Sequence, residues 1–378
     1  HGGRPDTVPF SPNIYQWFYH RQRTASLPSQ IAGAAHPFDA LRVLGADILA
    51  RWDTRKATRV RYTAGEFTER YEGTSGFETP VVTSFNVYPA GAGECRRRFA
   101  TPYGALTQTW TFMPEAGADF ETEYWWKQWE EYQAVRFMLE ATEYEFDLTE
   151  FQGWVKRVGE DGVVMVHLTQ SPLKTLLWLA GPENTSLFCF DHHAEMRGLA
   201  AIHEEKALAL VERIVDLEEA EVFISLDNLD TPFYPPDFYR DYCQSFFARA
   251  ADTIHRRGKI FAVHACGRNR KLLPLVGESG VDCLEGITPP PQGDVELWEA
   301  RRLTGRESFT VNGGMDVERQ EMGGDAEAAL HHYARRLFEN MGDKRRFIFA
   351  SSCSTSVAAP WHNLVYLRDA AREYGRLD

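Results

Sequence analysis

The amino-acid sequence predicts an α/β protein, a (β/α)8 TIM barrel with an N-terminal decoration of β-hairpins and helices. From Val163 onward, short apolar segments alternate with stretches of helical length, which is typical of βαβ units around a parallel sheet. The segments IFAV and FIFA are apolar throughout, as expected of strands that are buried on both faces. No glycine-rich phosphate loop follows an early strand, which favours a closed barrel over an open doubly wound sheet.

Six strands can be placed in the regular part of the chain. They are VVMVHL (163–168), EVFISLDN (221–228), KIFAVHACG (259–267), VDCLEG (281–286), SFTVNGG (308–314) and RFIFASSC (346–353). Residues 45–52 are a candidate for the seventh strand, and the eighth is not identified. Helices are predicted over 192–216, 235–258 and 270–278, the second opening on prolines and ending at a glycine.

The first 150 residues are less regular than residues 151–378. Residues 60–62 and 81–88 alternate in polarity between glycines and prolines, as pieces of β-hairpins do. Residues 121–140, which include Trp125, Trp126 and Trp129, predict a helix whose aromatic side chains serve either the core or a substrate. Neither an internal repeat nor a low-complexity linker is present, so we expect one domain over residues 1–378.

Composition excludes several classes of function. The 378 residues are 43% hydrophobic and 25% charged, which indicates a globular protein. A net charge of −13 argues against nucleic-acid binding. The apolar runs are all shorter than the roughly 18 residues of a membrane span. Six cysteines without compact spacing predict reduced thiols and a cytoplasmic protein.

Residues at the ends of the predicted strands are the candidates for chemistry, because the carboxyl ends of barrel strands form the active site. These candidates are His167, Asp227, Asn228, His264, Cys266, Glu285, Asn312, Gly313, Gly314 and Cys353. The alternation of a strand directs His264 and Cys266 to the same side, and Cys353 at the end of a later strand can complete a set of three ligands. Two cysteines and one histidine with an open fourth position are typical of a catalytic zinc site.

A purely structural interpretation stays open for these residues. A buried cysteine often serves as a small hydrophobe, and a histidine at a strand end is often hydrogen bonded in the core. Cys95, Cys189 and Cys243 are predicted to be structural, and the direction of Cys283 is left open.

The remaining strand-end residues have several candidate roles. Glu285 and Asp227 could be a fourth ligand, a partner that orients His264, a proton donor, or caps of the following segments. Asn312 precedes two glycines that allow the backbone to approach a cavity closely. A substrate-contacting role is open for Asn228 and His167. The N-terminal aromatic residues suit either an aromatic methyl ether or a core: Phe10, Tyr15, Trp17, Phe18 and Tyr19.

With these residues in hand, the chain resembles the uroporphyrinogen decarboxylase superfamily, and within it the cobalamin-linked methyltransferase branch. Most of the chain takes part in the resemblance, through an ordered series of blocks. The blocks are TPYGAL (101–106), SPLKTLLWLAGPENTSLFCFDHHAEM (171–196), DNLDTPFYPPDFYRDYC (227–243), HACGRNRKLLPLVGESGVDCLEG (264–286), NGGMD (312–316) and SSCSTSVAAPWHNL (351–364). The arginine-rich N-terminal segment of the decarboxylase itself has no clear counterpart in PFSPNIYQWFYH (9–20).

The resemblance implies a zinc-dependent methyltransferase in which His264, Cys266 and Cys353 bind the metal. The similar proteins are the first methyltransferases of corrinoid O-demethylase systems and the methylcobalamin:coenzyme M methyltransferases. The chain departs from this pattern in the block SSC before and at Cys353, where relatives often carry a glycine. The corrinoid-binding signature D-x-H-x-x-G is not met at 191–196, where Met196 replaces the glycine, so we expect a separate corrinoid protein as partner.

Three enzymatic functions follow from these expectations, and a non-catalytic barrel that acts as a binding or scaffold subunit is a further alternative. The first is methyl transfer from a small donor, favoured as a methoxylated aromatic compound, to the Co(I) corrinoid of a partner protein. The second, with the same zinc site, is transfer from methylcobalamin to a thiol. The third, from another class, is a metal-free decarboxylase. The sequence leaves the donor, the acceptor and the oligomeric state open, and a homo-oligomer is among the expectations.

Overall fold

Sixteen strands and thirteen helices form the regular structure of the described residues, 6–51, 53–83 and 85–377, in a computed structural model. The strands are β1 (Phe10–Ser11), β2 (Ile48–Ala50), β3 (Thr58–Tyr62), β4 (Glu66–Glu72), β5 (Val81–Val82), β6 (Val87–Tyr88), β7 (Glu94–Thr101), β8 (Gly104–Met113), β9 (Ala118–Glu123), β10 (Thr142–Phe146), β11 (Gly162–His167), β12 (Val222–Ser225), β13 (Ile260–His264), β14 (Cys283–Ile287), β15 (Thr310–Met315) and β16 (Phe347–Ser351). The helices are α1 (Tyr15–Arg23), α2 (Pro37–Leu44), α3 (Tyr132–Ala141), α4 (Leu148–Val158), α5 (Pro172–Asp191), α6 (His193–Ile214), α7 (Pro236–Tyr242), α8 (Gln244–His255), α9 (Leu273–Glu278), α10 (Ala300–Thr304), α11 (Val317–Gln320), α12 (Ala326–Asn340) and α13 (Trp361–Tyr374).

Eight parallel strands form the barrel, in the order β1, β16, β15, β14, β13, β12, β11 and β2. The predicted (β/α)8 fold is therefore confirmed, together with its six regular strands. The seventh candidate, residues 45–52, contains β2, although Trp52 lies outside the described residues. The eighth strand is β1, whose two residues are too few to show a pattern in the sequence.

Asp47 closes the barrel between its first two strands. Its backbone N–H donates to the carbonyl of Phe10 at 2.8 Å, and its carboxylate Oδ2 accepts from the Phe10 N–H at 2.9 Å. Phe10 in turn pairs with Phe349 of β16. One aspartate thus supplies both hydrogen bonds across the seam, where a two-residue strand offers few groups for a regular ladder.

The N-terminal part adds an antiparallel sheet in the order β4, β7, β8 and β9, and two separate pairs of strands. Val81 pairs with Tyr88 in the hairpin of β5 and β6, which the polarity pattern predicts. Residues 60–62 do not belong to a hairpin, because β3 pairs with β10 about eighty residues later in the chain. Sequence alternation indicates a strand but carries no information about so distant a partner.

The helix predicted over residues 121–140 is wrong in its first half. Glu121 belongs to β9, where it pairs with Trp110 of β8, and the helix α3 begins only at Tyr132. Pairing with a neighbouring strand has overridden the local helical pattern of the tryptophans. Trp126 is fully buried in the core, whereas Trp125 faces a cavity described below.

The other predicted helices are present with small changes. The prediction over 192–216 corresponds to α6, and the prediction over 270–278 to the shorter α9. The predicted helix 235–258 is interrupted at Cys243, where α7 ends and α8 begins. Trp17 and Phe18 of α1 are fully buried in the main core. Within the described residues, no helix combines the length and the hydropathy that a membrane span requires.

Removing the carboxylate of Asp47 tests the closure of the barrel. In Asp47→Ala the N–H of Phe10 loses its acceptor, and we expect a loss of about 1–3 kcal/mol in the free energy of unfolding. Urea denaturation measures this loss. The control is Asp161→Ala, which removes an exposed ion pair with Arg42 and should cost less than about 1 kcal/mol. Equal stability of the two variants would contradict the assigned role of Asp47.

Candidate metal centre

Three potential metal ligands converge at the carboxyl end of the barrel. His264 is the last residue of β13, Cys266 follows two residues later, and Cys353 lies two residues beyond the end of β16. The ligand atoms of these residues all lie within 4.8 Å of one another. The Sγ atom of Cys353 is 3.7 Å from Nε2 of His264. The structure thus brings together the three residues that the sequence singles out for a metal.

Glu285 holds the ring of His264 at Nδ1, the ring nitrogen other than the one nearest Cys353. The two residues are paired in register on β13 and β14, and Nδ1 of His264 forms a hydrogen bond with Oε2 of Glu285. The carboxylate also forms an ion pair with Arg51, and all three side chains are buried. A proton on Nδ1 leaves Nε2 with a free lone pair directed towards the thiols, which is the tautomer that binds a metal.

Arg51 connects several parts of the site. It follows β2, and its Nη1 lies 2.9 Å from Nδ1 of His264. Its Nη2 donates to the carbonyl of Cys353 at 3.3 Å. Nδ2 of Asn13, which follows β1, donates to the same carbonyl at 3.2 Å. The loop that carries Cys353 is therefore fixed by residues from the first two barrel strands.

A bulge at Gly286 makes room for the histidine ring. The register between β14 and β15 shifts between Glu285 and Ile287, and Gly286 has φ of 98°. A Cβ atom at this position would lie 2.9 Å from Cε1 of His264 and 2.5 Å from the carbonyl oxygen of Ser352. Only glycine fits both the backbone conformation and the space.

The protonation of the three residues suits a borderline metal ion. Burial lowers the pKa of His264, so the imidazole is neutral at physiological pH. The hydrogen bond from Cys266 holds the pKa of Cys353 well below its usual value, while the same contact and burial raise the pKa of Cys266. A neutral imidazole beside a thiolate is a donor set that zinc prefers, and these three residues could hold such an ion with a fourth position open.

The other predicted site residues take different places. Asp227 is fully buried and accepts hydrogen bonds from Ser171 and Ser225, the latter at 2.6 Å. Asn228 is exposed and has a left-handed φ of 53°. Asn312 pairs in register with Glu285, and neither polar atom of its buried side chain has a hydrogen-bond partner among the described residues.

Gly313 and the cysteines outside the proposed metal site are packed in the interior of the protein. A Cβ atom at Gly313 would lie 2.2 Å from the carbonyl oxygen of Ile287, so the glycine allows the close approach of two strands. Cys283 is buried in a small apolar cluster with Met165 and Ile224. Cys95, Cys189 and Cys243 are buried as well, as expected of structural cysteines.

A cavity of about 470 Å³ lies between the barrel and the N-terminal sheet. Its walls are rich in aromatic side chains, among them Trp110, Trp125 and Trp178. His167, at the end of β11, lines the cavity, and burial lowers its pKa to about 3. The volume is within the range of sites for small organic molecules, roughly 300–1,000 Å³.

Lys174 links the cavity to the three ligands. Its ammonium group interacts electrostatically with Asp227, with Cys266 and with Glu121, and Glu121 lines the cavity. The same ammonium lies 5.4 Å from the centre of the Trp178 ring, another part of the cavity wall. Burial lowers the pKa of Lys174. The side chain therefore interacts electrostatically both with Cys266 of the proposed metal site and with Glu121 of the cavity wall.

Four residues of the site were not predicted from the sequence: Arg51, Gly286, Lys174 and Glu121. Arg51 could have been found, because it follows a candidate strand and the strand-end rule applies to it as well. Gly286 directly follows Glu285 in a predicted strand, where a glycine often marks a bulge. Lys174 and Glu121 gave no signal, because the first lies on a helix and the second on a strand of the N-terminal sheet.

Comparison with solved structures supports the fold. A methyltransferase from Methanosarcina mazei has a TM-score of 0.59 at 12% identity, and the match covers 99% of this chain and 96% of that chain. Two other proteins are much less similar. A GH5 cellulase of a Bacteroidetes-affiliated source has a TM-score of 0.38 at 12% identity over 61% of this chain and 74% of its own. The D-psicose 3-epimerase of Clostridium cellulolyticum H10 has a TM-score of 0.36 at 9% identity over 61% of this chain and 86% of its own.

Comparison with protein-family models gives a match over most of the chain. No curated protein gives a significant match to the sequence. The model of the uroporphyrinogen decarboxylase (URO-D) family matches residues 101–374, which include His264, Cys266, Glu285 and Cys353. Since this match covers well over half of the 378 residues, the chain belongs to the uroporphyrinogen decarboxylase family.

Proposed function

We propose that the protein is a zinc-dependent methyltransferase that moves a methyl group from a methoxylated aromatic compound to the Co(I) corrinoid of a partner protein. The observation that carries the proposal is the group of His264, Cys266 and Cys353, with ligand atoms within 4.8 Å of one another. The aromatic cavity that Lys174 connects to this group adds a place for the donor. The methyltransferase of Methanosarcina mazei has the same fold.

The donor set fits zinc better than a hard cation. Thiolate and imidazole are ligands that zinc prefers, whereas magnesium and calcium require oxygen atoms. When bound, zinc would supply a Lewis acid that stabilises negative charge on the ether oxygen. Glu285 contacts Nδ1 of His264 and pairs with Arg51, whereas Nε2 of the ring faces Cys353, so we assign to Glu285 and Arg51 the role of orienting the ring.

The residues of the chain have separate tasks in such a reaction. The reaction breaks the bond between the methyl carbon and the ether oxygen, leaves the electron pair on the oxygen, and oxidises cobalt from Co(I) to Co(III) as the methyl group is taken up. The aromatic walls of the cavity hold the ring and exclude water. The ammonium group of Lys174 stabilises the negative charge of the leaving oxygen and is the group that can give it a proton.

Transfer from methylcobalamin to a thiol would use the same three ligands. The tryptophans of the cavity favour an aromatic donor over a small aliphatic thiol, because flat rings pack well against aromatic walls. A decarboxylase acting on a tetrapyrrole acid would have to bind several carboxylates. Among the described residues that line the cavity the arginines are Arg55 and Arg97, and Arg97 already pairs with Glu69 at 2.7 Å.

The proposal is tested by measuring zinc content and methyl transfer in the same preparations. We expect about one zinc ion per chain in the wild type, and zinc-dependent formation of methylcobalamin and a phenol from methoxylated aromatics and cob(I)alamin. The double variant Cys266→Ser, Cys353→Ser should lose both properties. The matched double variant Cys95→Ser, Cys189→Ser, which changes two buried cysteines away from the three ligands, should keep both.

Each outcome of this test selects one function. Zinc without turnover of any methoxylated aromatic, but with demethylation of methylcobalamin by a thiol, would favour the second function. A wild type prepared without chelators that contains no zinc would overturn the proposal and favour the decarboxylase.

Replacement of Glu285 tests whether the carboxylate orients His264. Glu285→Gln keeps the shape of the side chain but removes the charge that accepts from His264 and balances Arg51. We expect the affinity for zinc to fall about 10–100-fold, as measured by competition with a chromophoric chelator. Glu278→Gln, on the exposed surface of α9, is the matched control and should bind zinc like the wild type. Unchanged affinity in Glu285→Gln would contradict the assigned role.

A further inference from the structure

We propose that the methyl donor is an aromatic carboxylic acid, whose ring occupies the cavity and whose carboxylate is bound by Arg55. This inference rests on the proposed function and specifies its substrate class. Arg55 lines the cavity with its guanidinium group 4.9 Å from the centre of the Phe85 ring. Among the described residues, it forms neither a hydrogen bond nor an ion pair. Its planar guanidinium group has the geometry that binds a carboxylate through two hydrogen bonds.

Arg55 keeps its positive charge in this environment. Burial lowers the pKa of Arg55 to about 10, which leaves the group charged at neutral pH. Asp119 attracts Arg55 electrostatically, but no hydrogen bond or ion pair joins the two among the described residues. Oδ2 of Asp119 accepts from Asn86 and Tyr88, and its Oδ1 has no hydrogen-bond partner among the described residues. Arg55 is half-buried, and a ligand carboxylate would supply hydrogen bonds to a guanidinium group that is partly removed from water.

The other titratable groups of the cavity wall do not cancel this charge. Arg97 is paired with Glu69. His167 is neutral, because burial lowers its pKa to about 3. Burial raises the pKa of Glu121 to about 8, so its carboxyl group is mainly protonated at pH 7. Among the described residues that line the cavity, Arg55 is therefore the cation without an ion-pair partner, which matches a ligand with a negative charge.

Three further polar groups of the cavity lack partners among the described residues. They are both ring nitrogens of His167, the hydroxyl of Thr169 and Nε1 of Trp110. All three residues line the cavity. Buried polar atoms are hydrogen bonded in most folded proteins, so a group of unpartnered atoms around one cavity points to a polar ligand. The electrostatic effect of Arg55 on His167 places these two residues in the same region of the cavity.

The inference is tested by measuring how tightly the protein binds two small-molecule probes. The probes are 4-methoxybenzoate and the neutral analogue 4-methoxybenzyl alcohol, and binding is followed by the fluorescence of the cavity tryptophans and by calorimetry. We expect the wild type to bind the benzoate more tightly than the alcohol. Arg55→Gln should weaken benzoate binding about 10–100-fold and leave alcohol binding within about twofold. Arg98→Gln, an exposed arginine of β7, is the matched control and should bind both probes like the wild type.

Two results would overturn the inference. One is equal binding of both probes by the wild type, and the other is wild-type binding of the benzoate by Arg55→Gln. Arg55→Lys keeps the charge and should retain part of the preference, which separates loss of charge from loss of folding. These measurements need neither zinc nor a corrinoid. An inactive protein that still prefers the benzoate would therefore contradict the proposed function alone.

The pH dependence of binding supplies an independent prediction. Above pH 8 the carboxyl group of Glu121 ionises and repels a ligand carboxylate, so affinity for 4-methoxybenzoate should fall by up to about tenfold between pH 7 and pH 9. The groups that face Glu121 are Gln108, Lys174, Arg97 and Asp119.

Glu121→Gln separates the effect of Glu121 from the effects of its neighbours. This variant should bind the benzoate normally at pH 7 and lose the decrease towards pH 9. A decrease of the same size in the variant would show that another group is responsible.

Discussion

The buried ion pair of Arg51 and Glu285 is the interaction on which the proposed metal site depends. Burial of two charges is costly, and removal of one partner from such a pair typically costs about 3–5 kcal/mol. The fold tolerates the pair because Nδ1 of His264 donates to Glu285 and the carbonyl of Cys353 accepts from Arg51. A single network thus fixes the histidine ring, its tautomer and the loop that carries one of the two thiols.

This network explains why the N-terminal segment up to Arg51 belongs to the proposed metal site. Arg51 follows the second barrel strand, and Asn13 follows the first. Both donate to Cys353, which lies more than three hundred residues later in the chain. Closure of the barrel through Asp47 is the condition for these contacts, because it brings the first two strands together. Stability of the seam and geometry of the site are therefore linked.

The sequence predicts the barrel and the strand-end residues well because both depend on local patterns. Apolar runs identify buried strands, and the alternation of strand residues directs His264 and Cys266 to one side. The pairing of β3 with β10 escaped prediction because it depends on a distant partner. The strand around Glu121 escaped because its pairing with the preceding strand β8 overrides the helical pattern of the tryptophans. Arg55 escaped because only packing shows that, among the described residues, its guanidinium group has no hydrogen bond or ion pair.

Asp227 shows how a strand-end residue can act on the site through a helix. Its carboxylate binds the side chain and the backbone of Ser171, the residue that caps α5. Lys174 and Trp178 lie four residues apart on that helix and therefore share a face. The ammonium group of the first interacts electrostatically with Cys266, and the ring of the second lines the cavity. Asp227 thus positions both groups by fixing where the helix begins, and this is a role that its place at the end of a strand does not reveal.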